Sequence, residues 1–326
     1  MIISKTPLRI SFFSGGSDME SFYIKESGAA LSVTIDKYIH VFARQIQHSG
    51  IRTVYDTVEE CMDIDEMQDG ITKECLKYFY IQKDISISSI SDIASKGSGL
   101  GSSSAFSVGL LNALEYLKFR CQLTSRQAAE LSYFIEKTKC GYPVGKQDQY
   151  AAAYGGLNLF EFQKSGKVDV KTQIFSPHVY ELESNLLLVY SGKGRSANQI
   201  LQKQKEAMSD ETKFKLVANS RDKAYKGLEY INAGELDKFG ELLHEAWMDK
   251  KAVTKEISSD YFDDIYNRAI NAGALGGKLL GAGGGGFFIF YVLPKHRNHV
   301  IHEITKDTLC NVYDFKFSKE GSKIVF

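Results

Sequence analysis

Lys96-Gly97-Ser98-Gly99-Leu100-Gly101-Ser102-Ser103-Ser104-Ala105 runs without a break into Ser104 to Phe119, where Phe106, Leu110, Leu111, Leu114 and Leu117 recur at helical spacing. Glycines let such a loop turn tightly and bring its N–H groups against a ligand. The unpaired N–H groups and dipole of the helix start favour a polyphosphate there. Serine hydroxyls add donors for phosphate or metal. No Gly-Lys-Ser/Thr follows, so this is not a Walker A loop. A flexible loop with serine caps is the competing reading, and the stretch alone leaves both open.

Outward from this junction the chain alternates between strand and helix patterns. Upstream, Leu8, Ile10 and Phe12 share one face of a strand, opposite Arg9 and Ser11. Leu31, Val33, Ile35, Ile39, Val41 and Ala43 mark a longer one, and Ile85 to Ile90 a short one leading to the glycine/serine loop. Downstream, Thr124 and Gln127 form a capping box for a helix running to about Thr138, stopped by Gly141 and Pro143. Leu157 to Phe162 reads as a strand. Beyond it the pattern gives a strand at Leu186 to Tyr190, amphipathic helices between Ala197 and Ala272, a strand at Phe287 to Leu293, then a short helix and a strand near Val312 to Phe317. Helices covering a sheet in each half make an α+β protein. The polar stretch Gln163 to Val170 is the expected domain boundary, dividing the chain into 1–165 and 166–326.

Composition narrows the function. The 326 residues are 43% hydrophobic and 25% charged, as in globular proteins, and suffice for two cores. Lysine plus arginine equals aspartate plus glutamate at 40 each, so no electrostatic footprint for nucleic acid or an anionic membrane is present. Five scattered cysteines without a CxxC pair fit a reduced compartment. Neither a signal peptide nor a membrane-length apolar run is seen, and the cytoplasm is the expected location.

Two further stretches carry chemistry. In Gly141-Tyr142-Pro143-Val144-Gly145-Lys146-Gln147-Asp148-Gln149 a helix stops, the chain turns and an aspartate is presented. Such a carboxylate can take or orient a hydroxyl proton, or simply cap a turn. In Lys278-Leu279-Leu280-Gly281-Ala282-Gly283-Gly284-Gly285-Gly286 a glycine run abuts the apolar strand Phe287-Phe288-Ile289-Phe290. That arrangement points to close backbone approach to a ligand or another segment, with a tight ligand-free turn as the alternative. Lys193 and Arg195 flank a glycine after a strand, where they either grip a phosphate or face solvent. His296, His299 and His302 read as a polar helix face, and Trp247 as core.

Taken in order, Pro7-Leu8-Arg9 with Gly15-Gly16-Ser17-Asp18, Gly99-Leu100-Gly101-Ser102-Ser103-Ser104-Ala105 and Lys278 to Gly286 resemble the three motifs of the galactokinase, homoserine kinase, mevalonate kinase and phosphomevalonate kinase family. Within it, Ile35-Asp36-Lys37-Tyr38, Gly145 to Gly156 and Ser191-Gly192-Lys193-Gly194-Arg195-Ser196-Ala197 are most similar to the heptose phosphate kinases. Ser14-Gly15-Gly16-Ser17-Asp18 departs from the three glycines and threonine such sugar kinases often show. The resemblance implies an N-terminal domain like the second domain of ribosomal protein S5 and a ferredoxin-like C-terminal domain, with the active site between them. It also implies ATP and Mg²⁺ as cofactors. Gly97, Gly99, Gly101, Ser102, Ser103 and Ser104 would hold ATP, Ser103 and Glu136 would hold Mg²⁺, and Asp148 and Arg9 would be catalytic. Asp18, Gly15, Gly16, Lys193, Arg195, Gly283 and Gly284 would contact the acceptor. That acceptor would be a sugar phosphate, D-glycero-D-manno-heptose 7-phosphate, phosphorylated at its anomeric hydroxyl. A neutral hexose or deoxyhexose is the alternative acceptor, and a catalytically inactive sugar- or nucleotide-binding regulator is the alternative of another class.

Overall fold

The alternating apolar stretches become the centre of a nine-stranded sheet in the computed structural model, which describes all residues except 48–49, 56, 94–96, 174 and 195–196 and the side chains of 197–198. Strand β1 (Ile2–Phe13) pairs antiparallel with β2 (Gly28–Gln45), from Ile2 opposite Ala43 to Phe13 opposite Leu31. The first eight residues of β2 are all buried, and alternation begins only beyond Asp36. A strand covered on both faces has no solvent side, so charged residues drop out of its pattern, and the two hydroxyl residues of this stretch, Ser32 and Thr34, are buried as well.

On one flank of β2 lie β3 (Ile51–Val54), β4 (Val58–Cys61) and β5 (Ile85–Ser91), with β3 and β5 the one parallel pair among the described strands. At the other end of the same edge, opposite β1, β6 (Leu157–Phe162) pairs with Gly28 to Val33 of β2 and forms a hairpin with β7 (Val168–Thr172). The helices of this half are α1 (Glu20–Tyr23), α2 (Gly70–Tyr78), α3 (Ser102–Phe119), α4 (Ser125–Phe134) and α5 (Gln147–Tyr154). Helices α3 and α5 pack on β1 and β2.

The C-terminal half contributes α6 (Pro177–Asn185), β8 (Leu186–Tyr190), α7 (Ala197–Ala207), α8 (Glu211–Ala233), α9 (Leu236–Val253), α10 (Asp260–Asn271), β9 (Ala274–Leu279), β10 (Phe287–Val292), α11 (Pro294–Thr305) and β11 (Asn311–Tyr313). Its four strands form an antiparallel sheet in the order β11-β8-β10-β9. Helix α8 packs on β1, β2 and β6, and α9 on β9, β10 and β1, which joins the halves through apolar contact. Phe239 of α9 meets Phe12 and Phe13 edge-on at 5.2 and 5.3 Å. Trp247 is fully buried, as its place on an amphipathic helix predicts.

Three expected features take a specific local form. The division expected at 165/166 falls in the turn of the β6–β7 hairpin, so the first sheet continues to Thr172. The chain's last strands, β12 (Phe317–Ser318) and β13 (Lys323–Ile324), also return to it, on β2 and β1. A polar edge strand carries the composition of a linker, which is why the sequence suggested a boundary there. The capping box of Thr124 and Gln127 is present, but the helix it opens ends at Phe134 and continues as a π turn over Ile135–Lys139. Asp148 lies in the first turn of α5 rather than in an open turn.

Candidate active site

A cavity of about 1040 Å³ opens where the three glycine-bearing segments meet. The loop before α3 is fixed from both sides. Arg9 N–H donates to the Leu100 carbonyl (3.0 Å), and Phe287 N–H donates to that of Ser98 (3.0 Å). A Cβ on Gly99, whose φ is +75°, would lie 2.6 Å from the Leu280 carbonyl oxygen, and one on Gly281 would lie 2.6 Å from the Gly99 Cα. Only glycine permits that approach, so the third motif serves as a backbone support for the second. Gly97, Gly99, Gly101, Ser102, Ser103 and Ser104 all line the cavity at the N-terminus of α3.

At one end of this loop Arg9 and Asp148 form a bidentate pair. Arg9 Nε donates to Asp148 Oδ1 (2.9 Å) and Nη2 to Oδ2 (2.7 Å), while Nη1 donates to the Gly99 carbonyl (2.6 Å). The guanidinium side chain is 5% exposed, whereas Asp148 remains 32% open to the cavity. Beside them Asp18 accepts from Ser14 Oγ (3.1 Å) and from the Gln147 N–H (3.2 Å). A Cβ on Gly145 would sit 2.0 Å from Asp18 Oδ2, so this glycine makes room for the carboxylate. Burial, reinforced by the nearby Asp148 charge, lifts the Asp18 pKa above the ordinary carboxylate value, against the hydrogen bonds that lower it. Gly15 and Gly16 line the same end.

Glu136 projects from the π turn into the protein, 1% exposed. Its carboxylate accepts from Ser104 Oγ (3.2 Å), Ser132 Oγ (3.1 Å) and Gln149 Nε2 (3.1 Å). Burial nonetheless pushes its pKa up to about 7, with the three hydrogen bonds acting in the opposite direction. Mg²⁺ prefers oxygen ligands and is commonly held by one or two carboxylates together with substrate phosphates. The Glu136 carboxylate and the exposed Ser103 hydroxyl, both lining the cavity, match that donor chemistry. Ser104 is the serine that hydrogen-bonds Glu136 directly.

Other expected residues are not brought here. Gly283 and Gly284 are outside the lining, and the Gly284 N–H donates to the Ile257 carbonyl (2.9 Å). Gly281 and Ala282 line it instead. Lys193 is exposed, off the lining, with its ammonium 3.8 Å from the centre of the Tyr261 ring. Arg195 lies outside the described residues.

The structure adds groups to which the sequence reading gave no role in the site. Ile39, Tyr55, Ile71, Ile93 and Phe106 make one end of the cavity apolar, with the Tyr55 and Phe106 rings edge-on at 5.0 Å. Such a surface suits a planar base; the sequence places Ile39 and Phe106 only on the apolar faces of their elements, and nothing in it joins the five positions into one surface. Lys250 of α9 and Lys278 of β9 also line the cavity while being 7% and 5% exposed. Lys250 does carry a signal, since Leu243, Ala246, Trp247 and Lys250 fall on one helical stripe and the lysine breaks its apolar character. Burial and the neighbouring Arg9 charge bring the Lys278 pKa down to about 7. Burial, with the neighbouring Lys278 and Arg9 charges, also holds the Lys250 pKa well below the ordinary lysine value.

Residues 67–156 match the GHMP kinases N terminal domain and 228–307 the GHMP kinases C terminal domain. The chain is 32% identical to the D-glycero-alpha-D-manno-heptose 7-phosphate kinase of Campylobacter jejuni, over 99% of this chain and 98% of that protein. Among solved structures, a D-glycero-D-manno-heptose 1-phosphate kinase from Bacteroides thetaiotaomicron superposes with a TM-score of 0.79 at 26% identity, covering 100% of this chain and 99% of that one. A putative sugar kinase from Campylobacter jejuni gives 0.75 at 30% identity, over 99% and 97%. With a full-length relative and two domain matches in the expected order, the chain belongs to the GHMP kinase family and is an ATP-dependent sugar kinase.

Proposed function

We propose that the protein transfers the γ-phosphoryl group of ATP to the anomeric hydroxyl of D-glycero-D-manno-heptose 7-phosphate, giving the 1,7-bisphosphate. The observation that carries this reading is the Arg9–Asp148 pair, set between the loop at the start of α3 and Asp18. The names of the relatives, which are heptose phosphate kinases, support the acceptor class.

Each residue then has a task. The apolar end takes the adenine, and the loop from Gly97 to Ser104 takes the phosphates on the N–H groups of α3. Asp18, with Gly15 and Gly16, orients the sugar hydroxyls. Asp148 accepts the proton of the anomeric hydroxyl as that oxygen bonds to Pγ and the bond from Pγ to the bridging oxygen of ADP breaks. Arg9 holds the Asp148 carboxylate in place and offsets negative charge beside it. Phosphoryl transfer through a loose transition state depends chiefly on such positioning and charge neutralisation. Ser103 and Glu136 would hold Mg²⁺, which supplies charge neutralisation at the phosphates when bound. We place the reaction in the cytoplasm, a reading supported by five free cysteines.

The test is ADP release with MgATP and a panel containing the heptose 7-phosphate, the heptose 1-phosphate, the neutral heptose, a hexose and a deoxyhexose. The product is identified by phosphorus NMR. The 7-phosphate is expected to give the highest kcat/KM and a new anomeric phosphate signal. A neutral sugar that outperforms it, or phosphate transfer to another position, overturns the assignment.

A further inference from the structure

We propose that Lys250 and Lys278 form a phosphate-binding subsite for the transferring phosphoryl group, supplied from beneath the cavity by the C-terminal half of the chain. Both ammonium groups line the cavity, and both are almost wholly buried. Lys278 Nζ donates to the Phe12 carbonyl (2.8 Å), and Lys250 Nζ donates to the carbonyls of Leu279 (3.0 Å) and Gly281 (2.6 Å). An ammonium has three N–H donors. These bonds therefore leave two unspent on Lys278 and one on Lys250. Lys250 also lies 5.9 Å from the centre of the Trp247 ring. Neither lysine has a carboxylate partner among the described residues, and the third cation near them, Arg9, repels both.

A buried amine without a counter-charge is held toward its neutral form, as burial and Arg9 hold both lysines here. Two amines with unspent N–H donors beside the Arg9 guanidinium, all facing one cavity, are accounted for by a multiply charged anion that arrives with the substrate and favours their protonation. The packing locates that anion. Lys250 bonds the Gly281 carbonyl, Gly281 rests on Gly99, and the Gly99 carbonyl bonds the same Arg9 that clamps Asp148. The ammonium groups thus belong to the reacting end of the phosphate loop rather than to its apolar end. As the bond from Pγ to ADP lengthens, charge is carried by the equatorial oxygens of the phosphoryl group. Fixed cations there neutralise it without rearranging.

This inference rests on the phosphoryl-transfer reading of the cavity but not on which sugar is the acceptor. Its test is calorimetric titration of inorganic phosphate into the protein saturated with MgADP, for wild type, Lys250→Met, Lys278→Met and the double variant, with a thermal melt of each free protein. Loss of a charge-assisted bond should raise the phosphate Kd by about tenfold or more in each single variant. Each variant also loses its bonds to the Phe12 or to the Leu279 and Gly281 carbonyls, so the melts establish that each protein is folded at the titration temperature. Structural props would leave the phosphate Kd of a folded variant within twofold of wild type, and that result overturns the proposal. Steady-state kinetics then separate the two possible sources of the phosphate. A kcat loss that is equal with phosphorylated and unphosphorylated acceptors assigns the subsite to the transferring group. A KM loss confined to phosphorylated acceptors assigns it to the acceptor's own phosphate and overturns the assignment made here. A wrong choice of sugar leaves the titration result unaffected.

Discussion

Replacing Asp148 by asparagine tests the centre of the proposed chemistry, because it separates the acidity of that side chain from its shape. Asparagine keeps one oxygen for an Arg9 hydrogen bond but cannot take a proton. The structural cost is modest. Removing one partner of a fully buried pair costs about 3–5 kcal/mol and of an exposed pair at most about 1 kcal/mol. Asp148 is 32% exposed beside an Arg9 that is 5% exposed, and Arg9 keeps its bond to the Gly99 carbonyl. A loss of about 1–2 kcal/mol is expected, which in a protein of this size is a fall of a few degrees in melting temperature. The kinetic cost is larger. General base catalysis contributes about 10²–10⁴-fold, equal to about 2.7–5.5 kcal/mol in the barrier. In a coupled ADP-release assay kcat should fall by that factor while the acceptor KM stays within a few-fold, since a transition-state interaction has been lost. A kcat within tenfold of wild type, with the protein still folded, would refute the assignment and leave Asp148 as the group that anchors Arg9.

Four other outcomes are expected. Gly145→Ala drives a methyl group into Asp18, which a Cβ would meet at 2.0 Å, so the acceptor KM should rise by about tenfold with the ATP KM unchanged, by steady-state titration of each substrate. Glu136→Ala should abolish most turnover with partial recovery at high Mg²⁺; near-normal turnover at low millimolar Mg²⁺ would remove Glu136 from the metal site. Arg195→Ala should raise the KM for the heptose 7-phosphate by about tenfold or more and leave weak activity on the neutral sugar unchanged. Lys278 carries a pH signature. Burial holds its folded pKa near 7, below the ordinary lysine value, so between those limits the unfolded chain binds the extra proton and stability rises with pH. The melting temperature of the free wild type, measured against Lys278→Met, should therefore improve from pH 6.5 to 9.5, and a flat difference would contradict the burial of a titrating amine.

What the sequence determined by itself was local. Alternation placed β1 and β2, the Thr124–Gln127 box placed the start of α4, and the step from glycine and serine to an apolar-periodic stretch placed the start of α3. Each of these signals reports which face of an element is buried, and periodicity over a few residues encodes that. The order of three motifs added the family and the expectation that Arg9, Asp18, Glu136 and Asp148 belong to one site. Only the tertiary structure decided how they meet. Arg9 and Asp148 are 139 residues apart, and their bidentate contact depends on the loop, β1 and α5 being packed together. The glycine run at 281–286 gave no indication of whether it approached a ligand or another segment; its contact with Gly99 and Ser98 is a property of two loops at once. Lys250 and Lys278 are ordinary surface residues by type, and β7 is an ordinary polar linker by composition. The apolar stripe of α9 hints at the burial of Lys250, but what both amines face, like the pairing of that strand, comes from neighbours distant in the chain.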